Sequence, residues 1–144
     1  VNSGYQTSLN AREVRKKGPR FELTEKWDVR EHPLYMSSAV ACGGRLFGLS
    51  MADGGTVVAL DPSDGQVTWK KGRMGEYAAF VASGEHVLVQ TTDGRLRVLK
   101  ATADRWEPLR EYRVCDDAVW SHPAVTAGSV VVKDKKHLYC WQPR

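Results

Sequence analysis

Residues 37–61 read SSAVACGGRLFGLSMADGGTVVALD, and their pattern returns at residues 77–101 as YAAFVASGEHVLVQTTDGRLRVLKA. Each segment has an apolar run, a glycine turn, a second apolar run, an Asp-Gly turn and a third apolar run. A third copy, SHPAVTAGSVVVKDKKHLYCWQP, covers residues 121–143. Short apolar runs separated by Gly, Asp, Pro and Ser predict strands and turns rather than helices.

The spacing of the copies indicates the architecture. Gly44 corresponds to Gly84 and Asp53 to Asp93, so both pairs are 40 positions apart. A period near this length, with three or four strands in each unit, is typical of β-propeller blades. A twisted sheet that is apolar on both faces can bury them by stacking against neighbouring sheets. We therefore predict an all-β fold, a partial β-propeller of about three and a half four-stranded antiparallel blades.

The predicted organisation is a single partial propeller domain over residues 1–144. Its units are the two outer strands of a preceding blade (7–30), a blade (36–72), a second blade (76–114) and a three-stranded last blade (119–143). Closed propellers typically have about four to eight blades. We therefore expect either the remaining blades of a longer parent chain or self-association of this chain through its open edges.

Composition argues against several classes of protein. Apolar residues make up 42% of the chain and charged residues 26%, which is ordinary for a globular domain. No apolar run approaches the roughly 18 residues that a membrane span needs. The net charge is +4, but the basic residues form only short runs at 15–17 and 133–136. Nucleic-acid binding requires a basic face, so we expect no nucleic-acid partner.

The three cysteines are Cys42, Cys115 and Cys140, and none forms a C-x-x-C pair. Zinc and redox motifs are therefore not supported. Cys42 and Cys140 lie in apolar, strand-like runs, where free cysteine often acts as a small buried side chain. We expect structural roles for all three, although one disulfide remains possible.

The stretch ALDPSDGQVTWK (59–70) has two carboxylates and could be a cation loop or a tight corner. A calcium loop of the EF-hand type needs glycine at its sixth position and glutamate at its twelfth. Counted from Asp61, glycine falls at the fifth position and the twelfth is Gly72. An aspartate can instead accept backbone N–H groups in a turn, and Gly65 can adopt the positive φ of a return turn. We therefore favour a structural corner.

The same stretch resembles the tryptophan-docking motif of the quinoprotein-like (PQQ-repeat) propellers, Ala-x-Asp-x-x-Thr-Gly-x-x-x-Trp. The matching positions are Ala59, Asp61, Gly65 and Trp69, while Asp64 stands where threonine is usual. The segment TEKW, ending at Trp27, resembles the end of the motif one blade earlier. NSGY (2–5), WSHP (120–123) and HLYCW (137–141) look like parts of the C-terminal blades of bacterial members. The resemblance implies that Trp27 and Trp69 dock between blades and that the protein acts outside the cytoplasm.

The resemblance also implies an enzyme alternative, part of a PQQ-dependent alcohol or sugar dehydrogenase that holds PQQ and calcium on the ring axis. Such enzymes have acidic and amide ligands, and many have a disulfide between adjacent cysteines. The chain has no Cys-Cys pair and no cluster of acids with asparagine. We expect no catalytic, cofactor-binding or metal-binding residue here. The adjacent pair Asp116-Asp117 could be a cation or acid–base site, but we favour a solvated turn.

We predict that the chain is a non-catalytic propeller scaffold that binds a protein or small-molecule ligand through its loops. The candidate surface consists of the loops that precede inner strands, at residues 31–35, 74–77 and 115–122. The predicted binding rim is formed by Tyr35, Tyr77, Trp120 and His122. Aromatic residues that recur on one rim suit a contact surface, although they could simply pack between blades.

Overall fold

The computed structural model describes residues 2–3 and 8–142 of the chain. Within these residues the secondary structure is almost entirely β, with one short 3-10 turn at Ala52–Gly54. The strands are β1 (Asn2–Ser3), β2 (Leu9–Lys17), β3 (Arg20–Val29), β4 (Val40–Cys42), β5 (Arg45–Ser50), β6 (Thr56–Leu60), β7 (Val67–Lys71), β8 (Ala78–Ser83), β9 (His86–Thr91), β10 (Arg95–Lys100), β11 (Pro108–Arg113), β12 (Ala124–Thr126), β13 (Ser129–Lys133) and β14 (Leu138–Trp141).

The strands form four antiparallel sheets, and in each sheet every strand pairs with the next one along the chain. The orders are β1-β2-β3, β4-β5-β6-β7, β8-β9-β10-β11 and β12-β13-β14. Short turns rich in glycine and aspartate explain this meander, because they reverse the chain within a few residues. Four successive meanders of three or four strands are the arrangement that the partial-propeller prediction requires.

The first sheet differs from the two-strand prediction. A third strand, β1, pairs antiparallel with the start of β2, with Asn2 opposite Asn10 and Ser3 opposite Leu9. Two residues are too few to show a period of alternation, so the sequence pattern could not reveal this strand. The first sheet thus resembles the last, since both contain three strands.

Apolar side chains fill the space between each pair of successive sheets. One core cluster joins the first and second sheets, a second joins the second and third sheets, and a third joins the third and fourth. Both faces of the two middle sheets are therefore buried, as alternating residues of β9 show. Val87 and Val89 face the second sheet, whereas Leu88 belongs to the cluster with the fourth. This two-sided burial explains why the middle strands read as continuous apolar runs.

The alternating strand directions define two ends of the sheets. The upper face carries the loops that lead into the inner strands β4, β8 and β12, together with the β5–β6, β9–β10 and β13–β14 turns. The lower face carries the remaining turns, including the β6–β7 turn at residues 61–66 and the β10–β11 connection at residues 101–107. The predicted rim belongs to the upper face and the corner at Asp61 to the lower face.

The cysteine predictions are corrected at one position. All three thiols are free, and Cys42 is buried as expected. Cys140 is exposed, so its predicted burial is wrong. Strand β14 is the edge of the last sheet, and Cys140 pairs with Val131 on the face turned away from the third sheet. An apolar run at an edge looks the same in sequence as one in the interior.

No helix among residues 2–3 and 8–142 combines the length and apolar character that a bilayer crossing requires.

The edge strand β14 of the last sheet carries exposed apolar side chains, Leu138 and Trp141. We expect the 144-residue chain to self-associate, because exposed apolar surface and unpaired strand edges favour association. Light scattering over a range of protein concentrations measures this directly. A monodisperse monomer at every concentration would refute the expectation.

Candidate functional site

The corner at residues 61–65 is closed by its own hydrogen bonds. The Asp61 carboxylate accepts the Ser63 backbone N–H (2.8 Å) and the Ser63 hydroxyl (2.6 Å). These two bonds, side chain first, lower the pKa of Asp61. The Gly65 N–H donates to the Asp61 carbonyl (2.8 Å), and Gly65 has φ +77°. The carboxylate is thus engaged in shaping the turn.

Trp27 of the first sheet lies against this corner of the second sheet. Its indole N–H donates to the Pro62 carbonyl (2.9 Å). A Cβ added at Gly65 would lie 2.6 Å from Cε3 of the Trp27 ring. Glycine is therefore needed at residue 65 for two reasons, its backbone conformation and the closeness of the indole.

Trp69 makes the corresponding contact one sheet later. Its indole N–H donates to the Ala103 carbonyl (2.8 Å) in the β10–β11 connection. The ring packs against Phe47 at 6.0 Å and Trp106 at 6.1 Å between centroids, and Ala59 is its cross-strand partner. Each of the two contacts joins one sheet to the lower-face turn of the next. That these tryptophans dock the sheets onto one another stays a prediction.

The upper face has a different aromatic contact. The rings of Tyr77 and Trp120 lie 5.9 Å apart at 34° to each other, each in a loop that leads into an inner strand. Burial raises the pKa of Tyr77. Tyr35 lies half-buried in the corresponding loop one sheet earlier, where its N–H donates to the Leu49 carbonyl. Two of the predicted rim aromatics are thus brought into contact.

Hydrogen bonds from several elements hold in place the loop that carries Trp120, among them that of the Val119 N–H to the Thr92 carbonyl (3.1 Å). Gln90 Nε2 donates to the Ser121 carbonyl (3.0 Å), and the Ser121 hydroxyl donates to the Lys133 carbonyl (2.7 Å). The His122 imidazole bridges toward the third sheet, with Nε2 3.0 Å from the Phe80 carbonyl oxygen. His122 therefore supports the loop, whereas Trp120 remains exposed on its surface.

A cleft of about 290 Å³ opens beside Trp120. Its lining residues are Ala118, Trp120, Ser121, Lys133, Asp134 and Lys135. Lys133 donates to the Asp134 carbonyl (2.9 Å), while no hydrogen bond or ion pair joins Lys135 to any residue of the described part. An indole and two lysine side chains thus meet at one place.

Asp134 fixes the β13–β14 turn beneath this cleft. Burial alone would raise its pKa, but the N–H groups of His137 and Lys136 and the Tyr139 hydroxyl lower the pKa of Asp134 to about 2. These donors lie at 2.6, 2.8 and 3.0 Å from the carboxylate oxygens. Because three donors already engage the carboxylate, the Lys135 ammonium stays available to a ligand.

Replacing Asp134 with asparagine should lower the thermal midpoint at neutral pH, since it weakens these hydrogen bonds. The stabilisation from the lowered pKa is fully present above the ordinary value of 3.8 and is lost as the pH falls toward about 2. The difference in Tm between parent and variant should therefore shrink across that interval. Calorimetry at a series of pH values measures it, and a difference that stays constant would contradict the assignment.

The two remaining candidates for chemistry are the Asp116–Asp117 pair and the Cys115 thiol, and neither is placed to react. Asp116 pairs with Arg113 at 2.9 Å and Asp117 lies 3.9 Å from the Lys136 ammonium. Burial first, then the neighbouring carboxylates of Asp134 and Asp116, raises the pKa of the Cys115 thiol, which disfavours the nucleophilic thiolate. Within the described ranges, no three His, Cys, Asp or Glu side chains gather closely enough to hold a metal ion.

A known protein family matches this chain. The family model described as "Outer membrane protein assembly factor BamB" matches residues 23–123, most of the chain. This chain belongs to the BamB family. Its members are PQQ-repeat-like propellers, so the predicted resemblance and the predicted partial-propeller fold are both confirmed.

Two solved structures share the BamB-like fold. The crystal structure of BamB from Moraxella catarrhalis is 20% identical, with a TM-score of 0.67, over 82% of this chain and 36% of that one. The computationally designed Ika4 protein is 14% identical, with a TM-score of 0.52, over 83% of this chain and 98% of that one. The chain therefore spans about a third of the Moraxella protein's length. No curated protein matches it significantly.

Sequence reasoning missed several residues of this BamB-like chain. Gln90 and Asp134 are buried polar residues that hold the upper-face loop and turn. Trp141 donates from its indole N–H to the Val114 carbonyl (2.9 Å), which joins the last sheet to the third. The lysines beside Trp120 lie 13 and 15 positions further along the chain. Only the recurring tryptophans and the replacement of Asp-Gly by Asp134-Lys135 could have drawn attention to them.

Proposed function

We propose that this BamB-like chain is a non-catalytic propeller scaffold that binds a protein segment on its upper face, in the cleft beside Trp120. The exposed indole carries the proposal. Trp27, Trp69 and Trp141 each use their indole N–H within the fold, whereas those of Trp106 and Trp120 have no acceptor in the part that the structure describes. Of these two, Trp106 is half-buried and Trp120 is exposed. Tryptophan with a rigid ring and a free donor is enriched at the centre of protein interfaces.

The chemistry of the cleft favours an acidic segment with an apolar side chain. Trp120 is 46% exposed and rests on Tyr77, so its free ring surface can cover an apolar residue. Lys133 and Lys135 are exposed at the other wall, and the intervening carboxylate is occupied by donors of its own turn. Complementary charge would set the orientation of the segment and speed its association.

Selection from a displayed library of random peptides tests this proposal. We expect enriched sequences that combine acidic residues with an apolar one, and Trp120→Ala should weaken their binding by roughly 30-fold or more, as for an interface hot spot. Leu109→Ala is the matched control, because Leu109 is also 46% exposed but lies on the outer strand β11. Basic enriched sequences, no enrichment, or equal binding by the Trp120 variant would overturn the proposal.

The quinone-dependent dehydrogenase alternative stays a prediction, and no contact in the described residues favours it. The carboxylate of Asp61 is engaged by Ser63, that of Asp134 by its own turn, and that of Asp116 by Arg113. These residues do not fit a calcium and quinone site. Dye reduction with alcohols or sugars, after quinone and calcium are added to the full-length protein, tests the alternative. Turnover that depends on the cofactor would replace the scaffold proposal.

We also propose a location outside the cytoplasm. The matching family is described as an outer membrane assembly factor, and that description supports the proposal. Fractionation of the native host with an antibody to this chain would test it. Recovery with cytoplasmic marker proteins would contradict it.

A further inference from the structure

The hairpin formed by β2 and β3 extends beyond the rest of the sheets. Trp69 is the third residue of its strand, whereas the corresponding Trp27 is the eighth residue of β3. The five additional residues carry the turn at Gly18 roughly 17 Å past the lower-face turns of the other sheets, at about 3.3 Å for each residue. Every residue from Val14 to Lys26 is exposed. The neighbouring sheet therefore does not cover this part of the hairpin.

The two faces of the extended hairpin differ in chemistry. One face carries the ion pairs Arg15–Glu13, Lys26–Glu13 and Lys17–Glu22, at 2.9 to 3.1 Å. On the other face, Lys16 lies opposite Phe21, Val14 opposite Leu23, and Arg12 opposite Glu25. Alternation along the strands places these six side chains together. The hairpin is thus amphipathic, with one ion-paired face and one apolar face.

The apolar face is exposed to an unusual degree for such large side chains. Val14, Phe21 and Leu23 are 59%, 68% and 62% exposed. They form two consecutive rungs of the ladder next to the turn, and contiguous exposed apolar side chains of this kind mark a contact surface.

The tip of the hairpin is strongly basic. Residues 15–20 contain four basic side chains and no acidic one. Over residues 14–26, five basic and two acidic side chains give +3, out of +4 for the whole chain. Lys16 and Arg20 have no ion pair within the described part. A partner that complements this tip must therefore be anionic.

We propose that the extended β2–β3 hairpin binds an anionic lipid surface. Phe21, Leu23 and Val14 enter the interfacial layer, where aromatic and aliphatic side chains are stable. Lys16 lies beside Phe21 on the same face and meets the lipid phosphates, while the ion-paired face remains in water. Nucleic acid would match the charge but leave the apolar rungs in water, and an apolar groove would not match the basic tip. A lipid surface matches both.

Co-sedimentation with vesicles tests the proposal on the full chain. Vesicles of phosphatidylcholine mixed with phosphatidylglycerol should bind the chain, and vesicles of phosphatidylcholine alone should bind it much less. A basic residue near such a surface contributes about fivefold in binding. Lys16→Glu with Arg20→Glu, at the two tip residues without an ion pair in the described part, should therefore weaken binding by about 25-fold or more. Phe21→Ser with Leu23→Ser should weaken it by about tenfold, and added salt should weaken the binding of the parent.

The matched control is Lys70→Glu with Lys71→Glu, which makes the same change in net charge on the exposed part of β7. It should bind as the parent does, within about twofold, if the hairpin rather than total charge is responsible. Circular dichroism should show that all three variants keep the fold, since every replaced residue is exposed.

Three results would overturn the proposal. The first is equal binding to both kinds of vesicle, and the second is equal weakening by the control and the hairpin variants. The third is an absence of vesicle binding, whether or not the hairpin binds duplex DNA, an acidic polypeptide or a second copy of the chain.

Discussion

Replacing Trp69 with alanine should lower the free energy of unfolding by about 3–5 kcal/mol, the range for truncation of a buried aromatic side chain. Trp69 is only 7% exposed, and its ring lies between Phe47 of its own sheet and Trp106 of the next connection. Truncation would open a cavity between two sheets and also remove one of the two donors to the Ala103 carbonyl, the other being the Arg45 guanidinium. Urea denaturation followed by circular dichroism measures the change.

A conservative variant separates the packing of Trp69 from its hydrogen bond. Trp69→Phe keeps most of the apolar ring but loses the N–H that Ala103 accepts, so it should cost roughly half of the alanine change. If Trp69→Ala costs less than about 1 kcal/mol, as a surface substitution does, the residue does not dock the second sheet onto the third.

Replacing Gly65 with alanine should lower the free energy of unfolding by about 2–5 kcal/mol. Two costs add up at this position. The first is the positive φ of +77°, which costs a side chain about 1–2 kcal/mol. The second is overpacking of about 1–3 kcal/mol, because the new methyl group would lie 2.6 Å from the Trp27 ring. The ring would have to move away from the Pro62 carbonyl that now accepts its N–H.

Gly44→Ala provides the matched control for this prediction. Gly44 has φ +74°, almost that of Gly65, but no atom lies within 4 Å of an added Cβ. It should show the backbone cost alone. In a Trp27→Ala background, the cost of Gly65→Ala should fall to that of Gly44→Ala, because the clashing ring is gone. Equal costs of Gly65→Ala with and without Trp27 would contradict the contact between the first two sheets.

The repeat in the sequence was sufficient to predict the architecture. The apolar runs became strands because turns that contain glycine or aspartate reversed the chain between them, and the 40-residue separation of Gly44 and Gly84 corresponds to one sheet. The positions around Asp61 and Gly65 could also be interpreted, because a tight turn constrains its residue types locally.

Other features depended on neighbours that no local pattern specifies. Phe21 and Leu23 alternate with polar residues as an ordinary half-buried strand would, yet they are exposed because they lie on the face of β3 turned away from the second sheet, in the part of the hairpin that extends past the lower-face turns. Cys140 is exposed because β14 is an edge strand. The cleft beside Trp120 required residues from separate turns to meet, and the fold of the fourth sheet, with the Ser121 hydroxyl bonded to the Lys133 carbonyl, brings Lys133 to that place.

The most direct test of the scaffold proposal is to map a selected peptide on the ¹⁵N-labelled chain by NMR. Trp120 is the centre of the proposed site, with Ser121 and Lys133–Lys135 around it. We expect chemical-shift changes concentrated at the Trp120 indole N–H and at the amides of these neighbours. Changes concentrated at the lower-face turns, residues 61–66 and 101–107, would contradict it.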